Sequence, residues 1–460
     1  MHTRLRPLVP ALAIFFVCLG IYLPTASRHV TSTDVYGANL ASWQIATTGN
    51  PWFEELAPDQ YAENPLPGHQ WAGTVDNGHQ VITRSPGVVA AAVPAYWLDQ
   101  SDDFGIGPGG WTAALLSAIT AVLIFLTFSS RLTRLQAAVA SGAFAFATPM
   151  WSAAADGMWT HTVTTLGIGG MAWAATKERW WLVGTFGGVA LFGRFHVSLV
   201  AAILGVGIAL SRRRPDIAMK VAATSSLFMA LAMIWTRWMY GTWSPMGGYG
   251  SGYLERLDGF EPTWTSRLAN FAGMWVSPDR GFFVWTPLAL LLLPALIRGW
   301  RELPDWTQWL AWGGLTYTLA QSWISGFFGG DAYYGYRLSL EFLVSVAPAY
   351  AFTAHRMGTW ARATVGPMIG LQTGAIATGA VANGIFVNGN DVWTHNAFAL
   401  ALGSSPSYWI LAAASMALGW LLARMYGDAI AAPIISRVAP DSPGGSAPAA
   451  SAGEQAHQRD

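Results

Sequence analysis

The chain has 460 residues, 53% hydrophobic and only 11% charged, with 25 tryptophans and a formal net charge of zero. A soluble protein of this length needs far more charge to cover its surface, and repeated apolar runs able to cross about 30 Å of hydrocarbon mark an all-α polytopic membrane protein. The lone Cys18 excludes disulfides within the chain and cysteine-based metal sites.

In chain order, apolar segments fall at about 8–26, 111–130, 135–152, 159–176, 180–195, 196–210, 218–238, 281–298, 306–325, 336–354, 362–382 and 406–424. The first, preceded by Arg4 and Arg6, also has the form of a cleaved signal peptide, but no clear A-x-A site follows and it is read as a span. The pair 180–195 and 196–210 is short for full spans, which predicts a hairpin broken near Arg194-Phe195-His196. Segment 86–98 is too short to cross and is read as re-entrant or interfacial. Residues 1–430 are thus expected to form one domain of about twelve transmembrane helices, and 431–460, rich in Ala, Pro, Ser and Gly, a disordered cytoplasmic tail.

Arginine and lysine set the orientation. Seventeen of the 25 basic residues fall in alternate loops and the tail, which places those loops and both termini in the cytoplasm of a plasma (inner) membrane protein. The long loops are then outside: 27–110, 239–280 and 383–405. Within the first, Asn77-Gly78 between alternating residues predicts a small hairpin.

Chemistry-bearing residues gather on that outer side. Asp34 follows the first span directly, among Thr33, Tyr36 and Trp43, where a carboxylate can act as a base at the membrane surface. Asp156 lies in a very short turn before His161; an Asp-Gly turn accounts for it, but Asp34 and Asp156 could also share a substrate or a divalent cation. Arg194 interrupts an apolar stretch, so it either pairs with a carboxylate such as Asp156 or contacts an anionic partner such as a phosphate. The run from Trp323 to Arg337 joins glycines, tyrosines and Asp331 at membrane depth; Glu341 is spaced to pair with Arg337 within one helix, and the same mouth also suits a lipid phosphate. No P-loop, dinucleotide fingerprint, Ser/His/Asp elbow or zincin motif is present, and no cytoplasmic domain could bind a nucleotide. A substrate activated by its own lipid carrier is therefore expected, and no nucleic-acid partner.

From about residue 10 to 355 these motifs together resemble the polyprenyl-phosphate-sugar-dependent glycosyltransferases of GT-C fold, akin to protein mannosyltransferases and lipid A aminoarabinose transferase-like enzymes. Asp34 stands where that family opens its first outer loop with an acid. Asp76-Asn77-Gly78, Arg84-Ser85-Pro86-Gly87 and Pro94 match the end of that loop. His161, the Gly188-to-Arg194 stretch, Gly281 to Pro287, and Trp323 through Arg337 match later positions. One departure is that Val35, not a second acid, follows Asp34; the second acidic role would pass to Asp156.

The resemblance implies inverting transfer of a sugar from a polyprenyl-phosphate donor to an acceptor hydroxyl on a glycan, lipid or protein. Asp34 would be the base, with Asp156 as second acid and the two as ligands of any divalent metal ion. Arg194 and Arg337 would stabilise the leaving phosphate, with His161 in support, and Arg84 and Asp331 complete the substrate-binding set. A lipid-linked sugar or polymer transporter, an O-antigen ligase-type enzyme and a non-catalytic subunit of an envelope assembly complex are the alternatives.

Overall fold

The structure, a computed structural model, describes residues 8–28, 32–53, 72–74, 78–245, 263–382 and 384–425. The expected tail therefore lies outside the described residues. Helices are α1 (Leu8–Thr25), α2 (Thr33–Thr48), α3 (Pro86–Asp99), α4 (Gly107–Phe128), α5 (Arg134–Phe146), α6 (Thr160–Ala175), α7 (Trp180–Gly193) and α8 (Ser198–Arg212). They continue with α9 (Pro215–Tyr240), α10 (Trp264–Val276), α11 (Pro287–Gly299), α12 (Asp305–Ile324), α13 (Leu340–Thr353), α14 (Thr359–Val381), α15 (Ala397–Ser404) and α16 (Pro406–Met425). Strands β1 (Ala72–Thr74) and β2 (Gln80–Ile82) pair antiparallel around the Asn77-Gly78 position, with Gly78 at φ 85°.

Each apolar segment read from the sequence falls on helix. By length and hydropathy alone, four described stretches can cross a membrane: Gly107–Phe128, Phe195–Arg212, Pro215–Tyr240 and Pro406–Met425. The other helices are shorter or less apolar, in part because backbone breakers cut the runs. After α5 the chain passes Pro149 and widens into a π-type turn over Met150–Ala154, and α11 restarts at Pro287. The expected break between α7 and α8 falls at Arg194, whose backbone is extended (φ −153°, ψ 123°).

Small residues let the helices approach closely, as they must where both sides are apolar and packing alone discriminates. Gly184 and Gly188, one turn apart on α7, face α9: a Cβ on Gly184 would lie 2.4 Å from the Val221 carbonyl, and one on Gly188 2.2 Å from the Phe228 ring. Gly370 and Gly374 of α14 press on α16 in the same way, against the Met416 and Ala412 carbonyls at 2.6 and 2.8 Å.

Helix ends collect in two sets. At one end Arg212 of α8 binds both carboxylate oxygens of Asp305 (2.6 and 2.8 Å) and Glu178 (2.7 Å), and Arg356 pairs with Glu302. At the other end meet the loops after α1, α2, α5, α10 and α14 and the end of α9: the Ser27 N–H donates to the Asp156 carbonyl (2.9 Å), Trp52 to Met239 (3.2 Å) and Asn396 to Pro278 (2.6 Å). That second end, which carries the long loops, is called the loop end below.

Gly188→Ala should cost about 1–3 kcal/mol of stability, because Phe228 must move. Gly142→Ala, which meets nothing within 4 Å on α5, should be neutral or gain up to about 1 kcal/mol of helix propensity. Thermal unfolding of the two variants in one detergent checks the difference; equal midpoints would refute the packing account.

Candidate functional site

Asp34 sits in the first turn of α2, whose N-cap is Ser32: the Ser32 hydroxyl accepts the Asp34 N–H at 3.2 Å. A helix N-terminus favours a negative charge there. The hairpin β1–β2 carries the chain to Arg84, whose N–H donates to the Tyr240 hydroxyl (3.0 Å) while that hydroxyl donates to the Arg84 carbonyl (2.7 Å). With its backbone clamped by the end of α9, Arg84 turns its guanidinium onto α2, donating to the carbonyls of Thr33 (3.0 Å) and Asp34 (3.2 Å). Gly37 leaves the room: a Cβ there would stand 3.3 Å from Arg84 Nε.

Arg337 arrives from the opposite side of the sequence, on the glycine-rich run after α12. Gly329, Gly330 and Gly335 all have positive φ (65°, 87° and 87°), which glycine adopts freely, while Ala332 between them is also left-handed (φ 64°); the run folds back, and Gly335 passes close under Pro149. Arg280, itself buried, donates to the carbonyls of Tyr333 (2.9 Å), Gly335 (3.3 Å) and Val387 (3.0 Å) and so ties this run to the loop after α14. Arg337 lies over the Trp159 ring (4.3 Å to the centroid) and near Tyr333 (5.1 Å), and it also donates to the Gly329 carbonyl.

The two arginines meet on one carboxylate. Asp34 Oδ1 is 3.1 Å from Arg84 Nη2, and Asp34 Oδ2 accepts from Arg337 Nη1 at 2.5 Å. Burial acts to raise the Asp34 carboxyl, but Arg337 and Arg84 outweigh it, with Arg194 adding to the same field, and hold it down to about 2. Arg337 Nε is buried and has no hydrogen-bond acceptor among the described residues.

Asp156 sits apart from this cluster. Its turn packs on α2, for a Cβ on Gly157 would lie 3.3 Å from Val35; among the described residues its buried Oδ1 has no hydrogen bond, and the Ser27 backbone N–H offsets the effect of burial only in part. Burial pushes its carboxyl up to about 8. The expected pairing of Arg194 with Asp156 is replaced: Arg194 Nη1 donates to the Tyr317 hydroxyl (3.1 Å) and lies 3.4 Å from His161 Nε2. The expected Arg337–Glu341 pair within one helix also gives way. Arg337 precedes α13 and turns to Asp34, whereas Glu341 points into the bundle at His161 Nδ1 (2.8 Å) and Thr164 Oγ1 (2.6 Å). Asp331 stands on the rim, where its carboxylate accepts the Gly389 N–H (2.7 Å) and holds the neighbouring loop.

A divalent cation does not fit Asp34 and Asp156 as they stand. Both Asp34 oxygens are taken by guanidinium groups, burial raises the Asp156 carboxyl, and among the described residues no three His, Cys, Asp or Glu side chains gather. What sequence reading missed is Glu341 as a partner of His161, together with Tyr317 and Trp159. The signal for Glu341 was present as a carboxylate inside an apolar segment, where a charged group needs a named partner.

An apolar cleft with a cavity volume of about 120 Å³ runs along the bundle, lined by Phe144, Thr148, Phe282, Thr286, Leu343 and Val346 among others. Its Thr286 shares a hydrogen bond of 2.8 Å with the hydroxyl of Tyr336, the residue before Arg337.

The two acids should act oppositely on stability. Asp34, with its folded pKa depressed, contributes stability that is present above about pH 4 and lost as pH falls towards 2; Asp34→Asn should remove this loss. Asp156, raised to about 8, contributes stability that is full below about pH 4 and is lost as pH rises through 8; Asp156→Asn should flatten the decline between pH 5 and 9. Thermal midpoints across pH check both signs, and an unchanged alkaline slope in Asp156→Asn would overturn the second.

No family model matches the chain, and no curated protein matches it. Among solved structures, it is similar to the crystal structure of ArnT from Cupriavidus metallidurans bound to undecaprenyl phosphate, at 16% identity and a TM-score of 0.48, over 94% of this chain and 74% of that one.

Proposed function

We propose that this protein is a membrane glycosyltransferase that moves a sugar from a polyprenyl-phosphate donor to an acceptor hydroxyl on the extracytoplasmic face. The observation that carries the reading is Asp34 bridged by Arg84 and Arg337 at the loop end, with Arg194 contributing to the same positive field. A carboxylate supplies the base, and the arginines match the charge and planar geometry of a phosphate. The apolar cleft whose Thr286 is bonded to Tyr336, next to Arg337, offers apolar surface along the helices for a polyprenyl chain.

The chemistry is a single displacement. The acceptor oxygen attacks the anomeric carbon and its proton passes to Asp34. The bond from the anomeric carbon to the phosphate oxygen breaks, its electron pair stays on that oxygen, and configuration inverts. A carboxyl held at about 2 is a weak base, so Asp34 must leave at least one arginine before it can serve. A bound phosphate supplies the reason: it competes for Arg337, whose Nε already lacks an acceptor, and the freed carboxylate regains proton affinity when the hydroxyl is in place. As the polyprenyl phosphate departs it gains a second negative charge, which Arg337, Arg194 and Arg84 offset. Asp156 and Asp331 have no direct step in this scheme.

Purified protein incubated with a panel of polyprenyl-phosphate sugars and an acceptor mixture should release polyprenyl phosphate; no release with any donor would sink the enzyme reading and leave a transporter or a non-catalytic subunit. Asp34→Asn should lower transfer by about 10²- to 10⁴-fold while retaining binding of sugar-free polyprenyl phosphate. Near-wild-type turnover in that variant would remove Asp34 as base. Arg337→Ala should raise the donor KM more than the acceptor KM; an unchanged donor KM would remove Arg337 from the phosphate.

A further inference from the structure

Beneath Asp34 lies a second acid that the displacement does not use. Glu341, in the first turn of α13, is completely buried. Its Oε1 accepts from Thr164 Oγ1 (2.6 Å) and is 2.8 Å from His161 Nδ1, so it engages two side chains one turn apart on α6. Its Oε2 has no hydrogen-bond partner among the described residues. His161, 1% exposed, presents its other nitrogen, Nε2, to Arg194 Nη1 at 3.4 Å, and the same Nη1 donates to Tyr317.

The protons in this chain have one consistent arrangement. A guanidinium only donates hydrogen bonds, so His161 Nε2 must be the accepting nitrogen. The proton then sits on Nδ1 and is donated to Glu341, which makes the imidazole neutral. An isolated imidazole at this depth could take either tautomer or turn its ring. With Glu341 on Nδ1, both freedoms are removed, as for the outer partner of a metal-bound histidine. The backbone at Arg194 is extended between α7 and α8, so helix geometry does not aim its side chain; His161 and Tyr317 do.

We propose that Glu341 is a positioning residue that acts through His161 to aim the guanidinium of Arg194 at the donor phosphate. The inference rests on the proposed polyprenyl-phosphate donor. It assigns to Glu341 and His161 a role in donor binding, without contact between Glu341 and substrate. It also explains a carboxylate buried among apolar helices: the acid stands one imidazole away from the arginine, where it orients the cation without closing a bidentate pair on it.

The test uses the full-length protein in detergent with sugar-free polyprenyl phosphate as probe. Glu341→Ala should weaken binding about 10- to 100-fold, the loss seen when an outer partner of a liganding group is removed. Glu341→Gln, which retains an acceptor for the Nδ1 proton, should stay within about threefold of wild type. If the alanine variant does not accumulate, His161→Ala severs the same link from the other side and should show the same loss. Combined with Arg194→Ala, either change should add almost nothing further. Wild-type affinity in Glu341→Ala, or losses that add to that of Arg194→Ala, would overturn the proposal. A nitrogen-15 spectrum of histidine-labelled wild-type protein, with His161 assigned by its absence in His161→Ala, should show an unprotonated Nε2. A protonated Nε2 overturns the proposal whatever the substrate. Failure of the wild type to bind polyprenyl phosphate, with the expected tautomer present, refutes the donor reading and with it the function given to Glu341, but leaves the side-chain geometry standing.

Discussion

The loop end of this protein is organised around one carboxylate shared by two arginines. Asp34, Arg84 and Arg337 come from three separate segments, Asp34 and Arg337 lying 303 residues apart in sequence. An ion pair of this kind is costly to desolvate, so it persists only where the surrounding structure holds each partner in place. Ser32 caps the helix that carries Asp34, Tyr240 clamps the backbone of Arg84, and Trp159 and Tyr333 flank Arg337. Each holder belongs to a different part of the chain, which is why the first loop, the end of α9, the turn before α6 and the run before α13 pack together.

Charge is layered with depth. At the rim, Asp331 is spent on holding a loop. In the cluster, two guanidinium groups bind one carboxylate and Arg194 adds to their field. Deeper, Glu341 faces His161 and Thr164, and Asp156 keeps a buried Oδ1 with no hydrogen bond among the described residues. Glu341 is fully buried, whereas the Asp34 side chain keeps 28% exposure.

The helices were largely legible in the sequence because apolar runs report burial directly. Every apolar segment proved helical, the α7–α8 break fell at Arg194, and strands formed on either side of Asn77-Gly78. Reading the partners of charges was less successful. Glu341 follows Arg337 by four positions, a spacing that pairs residues within a helix, but α13 starts only at Leu340 and Arg337 stands outside it. Arg194 and Asp156 are both exceptions to apolar surroundings, yet neither satisfies the other.

Composition and periodicity alone determined that this is a helical membrane protein with elaborate loops at one end and with Asp34, His161, Arg194 and Arg337 as residues out of keeping with their surroundings. Hydrophobic patterning is a property of neighbours along the chain, so it survives without the fold. Which guanidinium meets which carboxylate is a property of neighbours in space. Glycine-dependent approach of helices and three positive-φ turns bring Arg337 to Asp34 and leave Glu341 to His161. Tertiary structure alone decided that Asp34 is a doubly bound anion, that Arg194 does not pair with Asp156, and that a buried histidine links Glu341 to Arg194.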